Sequence, residues 1–245
     1  MALVLNEEQV MLKESAAGFL AEKATVAHLR QLRDSASAQG FDSDVWREMA
    51  AMGWAGIAIA EEFGGLGYGY TGLGLVLEQA GRNLSASPLQ STVLVAATLI
   101  AQLGDKEQKG RLLPAIASGE KLVTLALQEG AHHAPLQIAA SAKRDGDAWV
   151  IDGSKLMVLD ASSADTFIVI ARTSGSPGDE RGLSALVVDA GSAGLAVSAR
   201  SMVDTRNAGA LLLEGVRVPA THLLGVEGDA WTGLSAQHPG SLWPV

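Results

Sequence analysis

Apolar positions recur with one period in the first half of the chain and with another in the second. Asn6 precedes Glu7 and Glu8, with Gln9 placed to reach back, the pattern of a capped helix start with acid at its positive end. Leu12, Ala16, Phe19 and Leu20 follow at helical spacing and make one apolar stripe. Asp42 or Ser43 opens another helix, on which Val45, Met49 and Met52 share a face before Gly53. SPLQ, Ser87–Gln90, reads as a capping box with Pro88 at the first helical position, and that helix is expected to run to Gly104. DKEQ, Asp105–Gln108, repeats the device, and the next helix fades by Gly119. Near Lys121 the period changes. KLVTLALQ is a strand candidate, and IAASAKRDGDAWVIDG reads as a hairpin with Asp145-Gly146 suited to a type I′ turn. FIVIAR, LSALVVD, LAVSAR and GALLLEGVRVP follow, separated by Gly, Ser, Pro and Asp clusters. Short strands with no helical pattern between them suggest a small barrel or sandwich and disfavour a βαβ sheet. The pattern stops after Gly228, so residues 228–245 are expected to be irregular.

Composition narrows the classes. Hydrophobic residues make up 48% of the 245, enough for a core, but aromatics are only 4%, so Ala, Leu and Val must fill the interior. A net charge of −9 repels phosphate backbones and argues against nucleic acid as a partner. The absence of cysteine excludes disulfides, iron–sulfur clusters, thiolate zinc sites and cysteine nucleophiles. MALVLNEEQV turns acidic by Glu7 without a basic leading stretch, unlike a secretory signal. The longest apolar run, Val93 to Leu103, is broken by Thr98 and Gln102 and is too short to span a bilayer. A cytoplasmic protein without a membrane span is expected.

Candidate chemistry is sparse. GYGYTG, Gly67–Gly72, matches the G-x-G-x-x-G phosphate loop and follows AGIAIA, which could pass for a strand. Glu61 and Glu62 stand just before it, no acid lies near residue 90 to hold a ribose, and the next element reads as a helix. A glycine-rich turn joining two helices is favoured. His132 and His133 are adjacent, a spacing that turns the two rings apart in either a strand or a helix, and no third ligand is near in sequence. No metal site is expected. There is neither a G-x-S-x-G elbow nor a G-x-x-x-x-G-K-[ST] loop.

Five stretches, in order and in register, resemble the acyl-CoA dehydrogenase family. They are EEFGGLGYGY (Glu61–Tyr70), LGDKEQKGRLLPAIASGE (Leu103–Glu120), DGDAWVIDGSK (Asp145–Lys155), ADTFIVIAR (Ala164–Arg172) and GVRVPATHLLGVEGDAW (Gly215–Trp231). The resemblance runs from Asn6 to about Trp231. It implies an α+β, multi-domain fold: an all-α helical domain over residues 1–119, then an antiparallel β-barrel domain over 120–227. A C-terminal helical bundle would begin in 228–245. It also implies an oxidoreductase acting on CH–CH bonds, an FAD flavoprotein that carries out α,β-dehydrogenation of an acyl-CoA thioester in fatty acid β-oxidation. Its partners are expected to be the acyl-CoA substrate, an electron-transfer acceptor, and similar chains in a homo- or hetero-oligomer. The family's catalytic glutamate lies in the bundle, so no catalytic residue is expected before Val245, and the polypeptide is expected to be truncated. The alternative is a non-catalytic partner subunit of a heteromeric acyl-CoA dehydrogenase.

The resemblance also places the cofactor. The family's T-E-P-x-x-G-S-D loop corresponds to QEGAHHAP, Gln128–Pro135. Gln128 stands at the threonine place, where its amide could still donate to flavin, and Glu129 is retained. Ala134 stands at the serine place, after a one-residue shortening, without a hydroxyl. In the family's K-x-W-[IV]-T, here KLMVL (Lys155–Leu159), Met157 takes the tryptophan place and Leu159 the threonine place. The residues expected to bind FAD are therefore Leu127, Gln128, Ala134, Met157 and Leu159, and the paired histidines are drift within a flavin loop. Two or three lost hydrogen bonds, at about 1 kcal/mol each, would weaken FAD by roughly 30- to 100-fold or more. Loss of the aromatic face adds about 1 kcal/mol.

Overall fold

The computed structural model describes residues 4–35, 37–200 and 202–235. Helices come first: α1 (Glu7–Lys23), α2 (Val26–Asp34), α3 (Ser43–Ala51) and α4 (Gly69–Arg82), then a wide π-helical stretch (Leu89–Ala96) that continues into α5 (Ala97–Leu103), and α6 (Lys106–Ala117). Two of the three expected capping boxes form as read. Asn6 and Gln9 close a reciprocal box at α1, and Asp105 and Gln108 do the same at α6. Asp42 caps α3 through the N–H groups of Asp44 and Val45. The apolar stripe of α1 packs as expected, with Ala16 and Leu20 fully buried. The nine-residue α2 has no counterpart in the sequence reading; Thr25 caps it.

The SPLQ box does not form. No side chain caps that helix, and its first turns are π-helical rather than α. Two of its hydroxyls make tertiary hydrogen bonds. Thr92 Oγ1 donates to Val123 O at 2.9 Å and accepts from Val123 N, while Ser91 Oγ donates to the Asp160 carboxylate at 2.5 Å. Ser91 and Thr92 thus tie this stretch to the turn after β3 and to β1.

The strands are β1 (Val123–Ala126), β2 (Ser141–Asp145), β3 (Ala148–Leu159), β4 (Thr166–Arg172), β5 (Leu183–Asp189), β6 (Leu195–Arg200), β7 (Ala208–Pro219) and β8 (Leu223–Leu224). They form one sheet in the order β6-β7-β3-β2-β4-β5-β8, with β1 alongside β4. The helical-then-β division stands, but the antiparallel barrel is corrected in two respects. The sheet is mixed, because β1 and β4 run parallel and β2 meets β4 in a parallel bridge. It is also not closed: β6 and β8 are its two ends. The β2–β3 hairpin has its two-residue loop at Gly146 and Asp147, one position later than expected. Only Gly146 of that pair has positive φ (61°), so the turn is not type I′. A short helix, α7 (Ala230–Leu234), occupies part of the stretch expected to be irregular; residues 236–245 lie outside the described residues.

Every residue of β4 is buried, so both its faces are covered. One core joins Leu99, Ile100, Leu113 and Ile116 of α5 and α6 to Phe167 and Val188 in the sheet, and includes Trp149 and Val216 from the curling strands β3 and β7. A second core, around Leu20, Trp46, Met49 and Trp54, belongs mainly to the helices. The halves thus differ in period but share an interior.

AGIAIA is not a strand. Trp54–Gly56 is a single 3-10 turn, and α4 begins inside the glycine stretch at Gly69, so the phosphate-loop reading fails for want of a β-α frame. Gly65 is there for close approach: a Cβ on it would lie 2.1 Å from the Ile59 carbonyl oxygen. Gly65→Ala is expected to lower stability by about 3 kcal/mol. Gly74→Ala, in the middle of α4 with open space around its Cβ position, should raise it by about 0.5–1 kcal/mol. Paired urea melts check both, and similar midpoints for the two variants would contradict the packing account.

Candidate functional site

The loop after β1 closes onto a bulge in β3. The β3–β7 register shifts between Lys155 and Val158, and Met157 sits there with φ 53°, a left-handed conformation uncommon outside glycine. Leu156 N donates to Gln128 O at 2.7 Å, and Thr124 Oγ1 donates to Leu159 O at 2.7 Å. These bonds lay β1 and its following loop along the end of β3. All five residues singled out from the sequence fall along this seam. Leu127 is buried; Gln128 and Ala134 are half-buried; Met157 and Leu159 are exposed, at 45% and 36%. The Gln128 amide is engaged inside the loop: its Oε1 accepts from Ala134 N at 3.3 Å, and its Nε2 lies 2.6 Å from His133 Nδ1.

Three buried or half-buried charges hold the loop in place. Lys155, fully buried, donates to Glu129 Oε1 at 2.7 Å and to Leu127 O at 3.1 Å. Glu129 also accepts from Ala139 N and Ala140 N, tying both ends of the loop to one carboxylate. Arg172, on β4, donates to four backbone carbonyls, those of Leu136, Ile138, Asp179 and Arg181. Desolvation pulls the Lys155 ammonium down to about 8, against the opposing pull of Glu129. Lys155 is quoted in the motif KLMVL, but nothing in that string marks it as interior, and Arg172 likewise carries no signal of its own. His132 and His133 are exposed, and among the described residues no group of three or more His, Cys, Asp or Glu side chains could hold a metal ion.

Just past the seam, Asp160 has φ 52° and directs its carboxyl at Ser91 of the π-helical stretch. Burial pushes this carboxyl up to about 6 from 3.8, with the Ser91 hydrogen bond and the Arg206 charge opposing. A carboxyl that keeps its proton longer in the native state stabilises the fold fully below about pH 4 and loses that contribution as pH rises through about 6. Asp160→Asn is therefore expected to raise stability at neutral pH by on the order of 2 kcal/mol and to leave it little changed below about pH 4. Urea midpoints at the two pH values check this; a variant less stable than the parent at neutral pH would contradict the buried-charge account.

With this geometry in hand, comparison with known proteins places the chain. The model of the acyl-CoA dehydrogenase N-terminal domain matches residues 6–120, and that of the acyl-CoA dehydrogenase middle domain matches residues 127–216. The chain belongs to the acyl-CoA dehydrogenase family. It is 30% identical over 197 residues to mitochondrial isobutyryl-CoA dehydrogenase of Dictyostelium discoideum, covering 78% of this chain and 47% of that one. It superposes on glutaryl-coenzyme A dehydrogenase, solved as its glutaryl-CoA complex, with a TM-score of 0.86 at 29% identity, covering 95% of this chain and 60% of that one. Against the ChsE4–ChsE5 complex of Mycobacterium tuberculosis the TM-score is 0.82 at 27% identity, covering 95% of this chain and 60% of the matched chain. The chain thus spans about half to three-fifths of the length of these relatives. No helix among the described residues is long and apolar enough to cross a membrane.

Proposed function

We propose that this chain supplies the helical part (residues 1–119) and the sheet part (120–227) of an acyl-CoA dehydrogenase-type flavoprotein. The reaction is FAD-linked α,β-dehydrogenation of an acyl-CoA thioester. The observation that carries this reading is the seam itself, where the loop after β1 and the bulge of β3 bring Leu127, Gln128, Ala134, Met157 and Leu159 to one place. The exposed side chains of Met157 and Leu159 form an apolar wall that fits the face of a flat isoalloxazine ring. The ring's polar edge is served by one side-chain amide, that of Gln128, and by loop backbone. When bound, FAD would accept the hydride. Around it, Lys155, Glu129 and Arg172 fix the loop, and Met157 and Leu159 keep water from one face. No proton acceptor is assigned to a residue of this chain. Similar chains, in a homo- or hetero-oligomer, and an electron-transfer acceptor are the proposed partners.

A second reading, a non-catalytic partner subunit of a heteromeric acyl-CoA dehydrogenase, draws on a specific observation. The Gln128 amide is already engaged by His133 and Ala134, and no hydroxyl or aromatic ring stands at residues 134, 157 or 159. Similarity to a chain of the ChsE4–ChsE5 complex is in keeping with it. The flavin content of the purified chain decides. Visible yellow absorbance with FAD released on denaturation is the expected result; a colourless chain that pairs with a yellow relative would replace the first reading with the second.

A further inference from the structure

Two cavities, each about 540 Å3, adjoin where the helical half meets the far end of β3, β6 and β7. They share Gly40, Met202, Arg206, Asn207 and Ala208, so they form one groove. One of them also includes Leu159, which connects the groove to the wall proposed for the flavin. Its volume lies in the range of small-molecule sites.

The groove is not a plain hydrocarbon slot. Leu77, Leu94, Leu159 and Met202 give it apolar walls, but Ser87, Gln90, Asp160 and Arg206 line it too. Asp160 has a partner in Ser91, and Arg206 Nη1 donates to Ser85 O at 2.8 Å, leaving other guanidinium donors. The Ser87 hydroxyl and the Gln90 amide make no hydrogen bond among the described residues. A saturated chain laid across these groups would remove their water and return nothing, whereas a ligand oxygen would replace it.

We propose that this groove receives the acyl part of the thioester and selects acyl groups that carry a hydroxyl or carbonyl oxygen remote from the thioester carbon. Ser87 and Gln90 read that oxygen, with Arg206 beside them. The inference rests on the acyl-CoA reading above. It differs from a general acyl-binding role because it assigns a preference to named polar side chains.

The test is calorimetric titration of the full chain with lauroyl-CoA and with ω-hydroxylauroyl-CoA. The hydroxylated thioester is expected to bind about tenfold more tightly, and the Ser87→Ala/Gln90→Leu double variant should bring the two within about twofold. Among the described residues neither has a hydrogen-bond partner to lose, so the double variant should keep the parent's melting temperature. Equal or tighter binding of lauroyl-CoA by the parent chain, or a preference that survives in the double variant, overturns the inference and leaves the acyl-CoA reading in place. Binding of neither thioester overturns both.

Discussion

Lys155→Met is expected to lower stability by about 3–5 kcal/mol at neutral pH and the melting temperature by roughly 10 °C. The reason is the carboxylate left behind. Glu129 would keep the N–H groups of Ala139 and Ala140 but lose the Lys155 ammonium, and Leu127 O would lose its ammonium donor. Removing one member of a buried pair strands the other charge, which is why the cost exceeds the net worth of the pair. Adding Glu129→Gln should recover part of the loss, because a neutral amide can still accept an N–H and needs no counter-charge. The parent chain should also show a pH signature. Its Lys155 titrates at about 8 rather than 10.5, so between those values the unfolded chain holds a proton that the native chain has released. Stability contributed by this group therefore rises with pH across that window and should not rise in Lys155→Met. A loss under about 1 kcal/mol in urea melts would show that the pair is not what holds the loop.

Arg172→Met should be comparably damaging, at about 4 kcal/mol, for a different reason. Among the described residues Arg172 has no carboxylate partner; its guanidinium gathers four backbone carbonyls from two loops. Methionine fills the same length but leaves those carbonyls without their charged donor, each a fraction of a charge-assisted bond. Arg172→Lys should rescue little, since one ammonium cannot reach acceptors spread around a planar fork. Hydrogen exchange gives the sharper readout. Residues 134–140 and 173–182 should lose protection together, while β5 and β7 hold theirs. If exchange rises evenly over the whole sheet instead, Arg172 acts on global stability and not as a clamp on those loops.

The elements most legible in the sequence were those specified locally. The caps at Asn6 and Asp105 formed because each box closes within four residues, needing nothing from the rest of the chain. The runs LSALVVD and LAVSAR became β5 and β6 over those same residues, because short apolar runs bounded by Gly, Ser and Asp are themselves a strand signal. The seam was legible only through the family resemblance, since the string QEGAHHAP carries no recognisable chemistry. SPLQ did not cap its helix, and the hydroxyls just beyond it, those of Ser91 and Thr92, bond instead to Asp160 and Val123, partners that no local pattern announces.

The sequence by itself determined the helical-then-strand order, the capped starts at Asn6, Asp42 and Asp105 and the change of period near Lys121, because these follow from neighbours a few positions apart. The tertiary structure alone decided that the sheet stays open with β1 parallel to β4, and that Lys155, Arg172 and Asp160 are drawn inside. Burial of Lys155 and Asp160 depends on partners 26 and 69 positions away in the chain, and no local pattern encodes which of them will arrive.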